Sequence, residues 1–379
     1  MEPDGAKLRP EGVWRTSVKS WLLFLAVVGP LAIISHIAEW SPLVTFAFSA
    51  ASLIPLAAMM GDSTEELGEH LGPTMGGLIN ATLGNAPELI IAVFALTKGL
   101  EDVVKASITG SLLGNLLFGN GLAMIAGGWG RRQQKFDADN ARLNTGLMFL
   151  AVIGLLVPAM LQHTTEGVTR DISLPVSIVL LVVYAFAMLH TIMPKPADKL
   201  NEPAAFAEPF VDHHQTPEQR EGSIWRPIGA LALVTLGIAI ISEILTDAIG
   251  PAASTLELTT VFTGVFLLAL AGNVAETFNA VQFARKDKMD LTLGTTVGAS
   301  TQVALLVAPL LVLLSIALGH PMNLVFSKLE LFAMLVAVTA ITKLISDGKS
   351  QWIEGVLLLG FYVLIGIAFF VVNGDVAGL

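Results

Sequence analysis

Two five-residue stretches carry the residues best suited to chemistry: Gly84-Asn85-Ala86-Pro87-Glu88 and Gly272-Asn273-Val274-Ala275-Glu276. Each sets a carboxylate three residues after an amide, inside an apolar run. Two Glu carboxylates, the Asn85 and Asn273 amide oxygens and backbone carbonyls freed near Gly84 and Gly272 offer oxygen ligands only. That set suits a hard cation such as Ca2+, which takes about 6–8 oxygens in flexible geometry. The chain has no Cys, and its apolar runs hold no His cluster to supply the softer ligands of zinc or copper. Gly84, Pro87 and Gly272 are weak helix formers, so a local break is expected at each stretch. Carbonyls freed by such a break survive in lipid only where they line a cavity or meet a ligand.

The run after each stretch adds polar groups: Ser111 and Asn115 after the first, Ser300 and Gln302 after the second. These form a second tier that can turn toward the carboxylates. The same runs carry small residues at four-residue spacing, Ala106, Gly110 and Gly114 in one and Gly294 and Gly298 in the other, which favours close helix packing. Upstream, Asp62, Glu65, Glu66 and Glu69 cluster at a helix end. They read either as a solvated terminus or as a funnel that concentrates cations at an entrance.

The elements that must hold these residues follow from composition. Of 379 residues, 54% are hydrophobic and 14% charged, against about 25% charged in soluble domains. With a mean hydropathy of +0.71, the chain reads as a polytopic membrane protein, which excludes a soluble enzyme or a nucleic-acid binder. Crossing a bilayer takes about 20 apolar residues per helix. Eleven such runs lie near 21–38, 42–60, 74–97, 103–128, 143–162, 172–193, 227–249, 258–284, 291–318, 326–346 and 352–373. They are continuous rather than alternating, so the expected architecture is all-α. The first run reads as a true span and not a cleaved leader, since Glu2, Asp4 and Glu11 precede it and no small-x-small site follows Ile34. With the N-terminus inside, 17 of the 21 Lys and Arg fall on one side, and only Lys98, Lys105, Arg170 and Lys328 on the other. This positive-inside split places the N-terminus in the cytoplasm and the C-terminus outside.

An offset of 188 residues carries Glu88 onto Glu276 and, without a gap, Ala81 onto Ala269, Lys98 onto Lys286, Asp102 onto Asp290, Gly110 onto Gly298 and Leu117 onto Leu305. The halves read as duplicated. Five spans per copy force opposite orientations, an arrangement that sets a site at the midplane between repeats. Glu88 lies ten residues before Lys98 and Glu276 nine before Arg285, about 13–15 Å from each charged end, near mid-bilayer. The expected layout is an N-terminal segment with the first helix over 1–40, a first five-helix repeat over 41–193, an acidic, Pro-rich cytoplasmic linker over 194–226 and a second five-helix repeat over 227–379.

The first stretch, with Asp62-Ser63-Thr64-Glu65-Glu66-Leu67 and Gly72-Pro73-Thr74 before it, and the second, with Lys288-Met289-Asp290-Leu291 after it, resemble the motifs of the calcium/proton exchanger family within the cation/calcium exchanger superfamily. The resemblance runs from about residue 40 to 330. It implies eleven helices, two inverted five-helix repeats and Ca2+ export driven by inward protons, with Ca2+ and H+ as transported ions and no cofactor. It further implies that Glu88 and Glu276 bind Ca2+ or protons, with Asn85 and Asn273 beside them and Gln302 on the following helix. Two positions depart from the family's pattern. Thr277 stands where a His commonly follows the second Glu, and Ala299 stands in a stretch that commonly reads Gly-Ser-Ser-Thr-Gln.

Other readings compete: an exchanger coupled to Na+ or moving another divalent ion, a passive cation channel, and an intramembrane hydrolase. Inverted repeats around a midplane site favour alternating access over an open pore. A hydrolase would need a nucleophile beside a base, and no such spacing occurs in the spans. The expected partners are therefore Ca2+, H+ and the lipid bilayer, with no nucleic acid; a homo-oligomer is compatible with the sequence. Short loops point to a prokaryotic cell (inner) membrane.

Overall fold

The apolar runs fold as helices because lipid leaves backbone polar groups no other partner. A computed structural model describes residues 11–71, 79, 82–161, 166–192 and 223–372, with the side chains of residues 11–20, 69, 166–171 and 192 outside that description. The chain order is α1 (Glu11–Ile37), α2 (Pro42–Leu71), α3 (Ala86–Thr97), α4 (Glu101–Gly128), α5 (Ala138–Met160), α6 (Glu166–Ile192), α7 (Trp225–Thr255), α8 (Thr260–Gly272), α9 (Val274–Arg285), α10 (Met289–Ala317), α11 (Lys328–Leu344) and α12 (Trp352–Val371). One small antiparallel pair, β1 (Gln134–Lys135) with β2 (Lys349–Ser350), joins two loops. The acidic linker expected over 194–226 lies outside the described residues except for its last four.

Among the described residues, seven helices are long and apolar enough to cross a membrane, and an eighth span results if α8 and α9, bent by 55° at Asn273, count as one. The two motif regions differ from plain spans for one reason. α3 and α9 each hold 12 residues, about 18 Å of helix against a core of about 30 Å. Residues 72–78, 80 and 81 before α3 lie outside the description.

The 188-residue offset reappears in the helix boundaries. It carries Ala86–Thr97 onto Val274–Arg285, and the start of α4 at Glu101 onto the start of α10 at Met289. Both long helices then widen into π-type turns, over Gly114–Gly119 in α4 and over Gly294–Gly298 and Val303–Val307 in α10. Such turns are uncommon and cluster at functional sites.

α4 and α10 form the middle of the molecule: 83% and 72% of their apolar stretches are buried, against 22% for α12. A Cβ on Gly110 would come within 2.8 Å of the Val265 backbone and one on Gly264 within 2.6 Å of the Ala106 Cβ, so small residues set the α4–α8 approach. The apolar interior divides in two. One part joins α4, α5, α6, α10, α11 and α12. The other joins α2 to α7, with Leu53, Leu56 and Met60 packed among Ile238, Ile241 and Leu245, and takes in Ala32 of α1, Ile91 of α3, Val103 of α4 and Leu268 of α8.

Candidate cation site

Both motif half-helices begin at an asparagine in the same backbone conformation, Asn85 at φ −103, ψ 20 and Asn273 at φ −90, ψ 7. An asparagine at this position ordinarily accepts a hydrogen bond from an N–H in its own first turn. Neither does so here, which leaves both amides available to other helices. Asn85 Nδ2 donates to Gln302 Oε1 on α10 at 2.6 Å. Asn273 Nδ2 donates to the Ser111 carbonyl on α4 at 3.3 Å, and Ser111 Oγ donates back to Asn273 Oδ1 at 3.3 Å. Each half of the chain thus holds the other half's asparagine.

The pairing is not symmetric in chemistry. The residue 188 before Gln302 is Gly114, where a Cβ would come within 2.9 Å of Asn273 Nδ2. The first asparagine donates to a side-chain amide; the second donates to a backbone carbonyl and accepts from a serine hydroxyl.

Glu88 and Glu276 occupy the third position of α3 and α9, in the first turn of each. Glu88 is buried and Glu276 half-buried. Glu88 Oε1 lies 3.9 Å from where a Cβ on Gly272 would stand, which sets the first carboxylate beside the second motif. Glu88 Oε2 and Glu276 Oε2 are buried with no hydrogen-bond partner among the described residues. Buried acceptors without donors are costly in a folded chain, and a cation or protons would satisfy both.

The second tier divides. Ser111 and Gln302 hold the asparagines. Asn115 and Ser300 are buried, and Asn115 Oδ1 and Ser300 Oγ have no described partner. Thr277, buried beside Glu276, packs its Oγ1 3.3 Å from where a Cβ on Gly119 would stand. Asp62, Glu65 and Glu66 lie in the last turns of α2, where Glu66 Oε1 stands 3.9 Å from Arg226 Nε. The Glu69 side chain lies outside the described ones.

Lys105, counted with the cations of one membrane side, is buried in α4 and donates to Asn323 Oδ1 at 2.8 Å. Near it, Thr109 Oγ1 donates to the buried Glu330 at 3.2 Å. Glu330 closes a capping box with Ser327 at the start of α11. The Ser-x-x-Glu spacing was the available signal for this group.

The sequence profile described as "Sodium/calcium exchanger protein" matches residues 41–193 and 226–371. The chain is similar to a Ca(2+)/H(+) antiporter of Aphanothece halophytica, 42% identical over 357 residues that cover 92% of this chain and 95% of that protein. It is also similar to the Ca(2+)/H(+) antiporter ChaA of Bacillus subtilis, 36% identical, with 92% of this chain and 98% of that one covered. Among solved structures, the crystal structure of the Ca2+/H+ antiporter protein YfkE covers 93% of this chain and 100% of its own at 33% identity, with a TM-score of 0.77.

Proposed function

The chain belongs to the sodium/calcium exchanger protein family, and we propose that it is a Ca2+/H+ antiporter whose exchange takes place at the Glu88–Glu276 pair. It is a membrane transporter, not an enzyme. The relatives at 42% and 36% identity support the ion pair. The observation that carries the site is the pair of buried carboxylate oxygens without partners at the start of two matched half-helices.

The cycle follows from charge. An empty pair carries two negative charges, and uncompensated charge at mid-bilayer costs several kcal/mol. One Ca2+ or two protons neutralise it. Only these two loaded forms pass readily between inward-facing and outward-facing states, which makes the exchange obligatory. Asn85, Asn273 and nearby carbonyls complete the oxygen shell, with Gln302 and Ser111 fixing the two amides. Asn115 and Ser300 supply further oxygens, and the Asp62, Glu65, Glu66 and Glu69 cluster gathers cations at the entrance.

We read the fold as a first helix and two inverted five-helix repeats over 41–193 and 227–379, joined by the cytoplasmic linker 194–226, eleven spans in all. The offset shared by α3 and α9 supports that layout, as do the two stretches matched by the family profile. We read the exchange as alternating access, the mode that inverted repeats around a midplane site favour. The membrane is a prokaryotic inner membrane, with the N-terminus inside and the C-terminus outside. Uptake of Ca2+ into everted vesicles tests the reading: a pH gradient should drive it with or without Na+. Uptake that requires a Na+ gradient would transfer the chain to a sodium-coupled mechanism.

A further inference from the structure

The half-helices α3 and α9 end in the same left-handed turn with different residues. After α3 the turn is made by Gly99 at φ +70; 188 residues on, after α9, it is made by Asp287 at φ +61. Glycine adopts this conformation freely, and an aspartate does so at a cost. A residue held in a disfavoured conformation points to a constraint around it.

The constraint is visible. Asp287 Oδ1 accepts a hydrogen bond from Gln134 Nε2 at 2.8 Å, and the same nitrogen donates to the Ala284 carbonyl, in the last turn of α9, at 2.8 Å. Gln134 is buried and sits in β1, which pairs with β2. From the same loop Arg131 Nη2 donates to the Arg285 carbonyl at 2.9 Å, and the Asp137 N–H donates to Asp290 Oδ1 at 2.7 Å. Gly127 makes room: a Cβ there would meet the Ala284 carbonyl at 2.7 Å and collide with Gln134. Among the described residues, the corresponding end of α3 has no such enclosure. Lys98 reaches the Glu243 carbonyl at 2.9 Å and Asp247 at 2.7 Å, both partly exposed.

We propose that Gln134 and Asp287 clamp the far end of α9 and so position Glu276, making them positioning residues for Ca2+ binding. The lever is the helix. Glu276 lies nine residues before Arg285 on one uninterrupted α-helix, so release of the C-terminal end tilts the carboxylate away from Glu88. The proposal rests on the reading that Glu276 binds the transported ions. It goes beyond that reading in naming what holds the half-helix in place.

Transport by vesicles containing the full chain, with thermal unfolding of the purified protein, tests it. Asp287→Gly keeps the turn and removes the acceptor. It should unfold at the same temperature or higher, yet raise the half-saturating Ca2+ by about threefold or more with the maximal rate within about twofold, the signature of lost binding. Asp287→Asn keeps both the turn and an acceptor, and should match the parent. Gln134→Glu sets a second carboxylate against Asp287 and should also raise the half-saturating Ca2+. Combining it with Asp287→Asn lets the new amide donate to the new carboxylate and should recover at least about half of the loss, the mark of a direct contact. A parental half-saturating Ca2+ in Asp287→Gly, or no recovery in the double variant, overturns the clamp. Glu276→Gln serves as the control: if it still transports, the site assignment fails; if it is inactive while Asp287→Gly is normal, the clamp alone fails.

Discussion

Asn85 and Gln302, 217 residues apart in the chain, hydrogen-bond at 2.6 Å, while the equivalent bond from Asn273 finds backbone because Gly114 has no side chain. The first asparagine therefore depends on a side chain that mutation can remove. Gln302→Ala strands a buried amide, a loss of about 1–3 kcal/mol. Ca2+ half-saturation should rise by about tenfold, the equivalent of about 1.4 kcal/mol. Gln302→Glu keeps the acceptor and adds a third charge, so its exchange should become sensitive to membrane voltage. Uptake into proteoliposomes at a clamped potential checks both; parental kinetics in Gln302→Ala would remove Gln302 from the site.

Glu88→Gln and Glu276→Gln should each abolish proton-driven Ca2+ uptake in a protein that still folds. Each swap keeps the size of the side chain and removes a charge that the cation needs. Uptake in everted vesicles, with size-exclusion behaviour as the folding check, settles the outcome.

The Lys105–Glu330 group should matter for stability and not for transport. Glu330→Ala leaves Thr109 and the Ser327 N–H without their acceptor and should destabilise by about 1–3 kcal/mol. Glu330→Gln preserves the capping box and should cost much less. Thermal unfolding in detergent reads the difference, and a Ca2+ half-saturation that shifts with Glu330→Gln would give this group a transport role.

The chain's lack of cysteine makes topology testable with single introduced thiols. Ser223→Cys and His320→Cys, both at exposed positions, should label with an impermeant reagent from opposite sides of the membrane. Labelling from the same side would reject the eleven-span layout.

The carboxylate pair was legible because a charged residue in an apolar run is conspicuous, and Gly-Asn before each Glu marked the breaks. The extent of the spans was less legible. A window of about 20 residues returns 74–97 and 258–284 as single runs; the weak helix formers mark where a break falls but not its angle, the 55° at which α9 leaves α8, nor the 12-residue length of α3. The bonds Asn85–Gln302 and Gln134–Asp287 join residues 217 and 153 apart, and no local pattern encodes them. The bond from Lys105 to Asn323, 218 residues away, is equally unmarked by any local pattern.

The central claim, that Ca2+ and protons compete for the same two carboxylates, is tested most directly by the half-saturating Ca2+ concentration of the parent protein measured across pH on the Ca2+-loading side. Two protons displace one Ca2+ from the Glu88–Glu276 pair, so acidification should weaken apparent Ca2+ affinity with a proton order approaching two. A half-saturating concentration that does not change with pH would contradict a shared site.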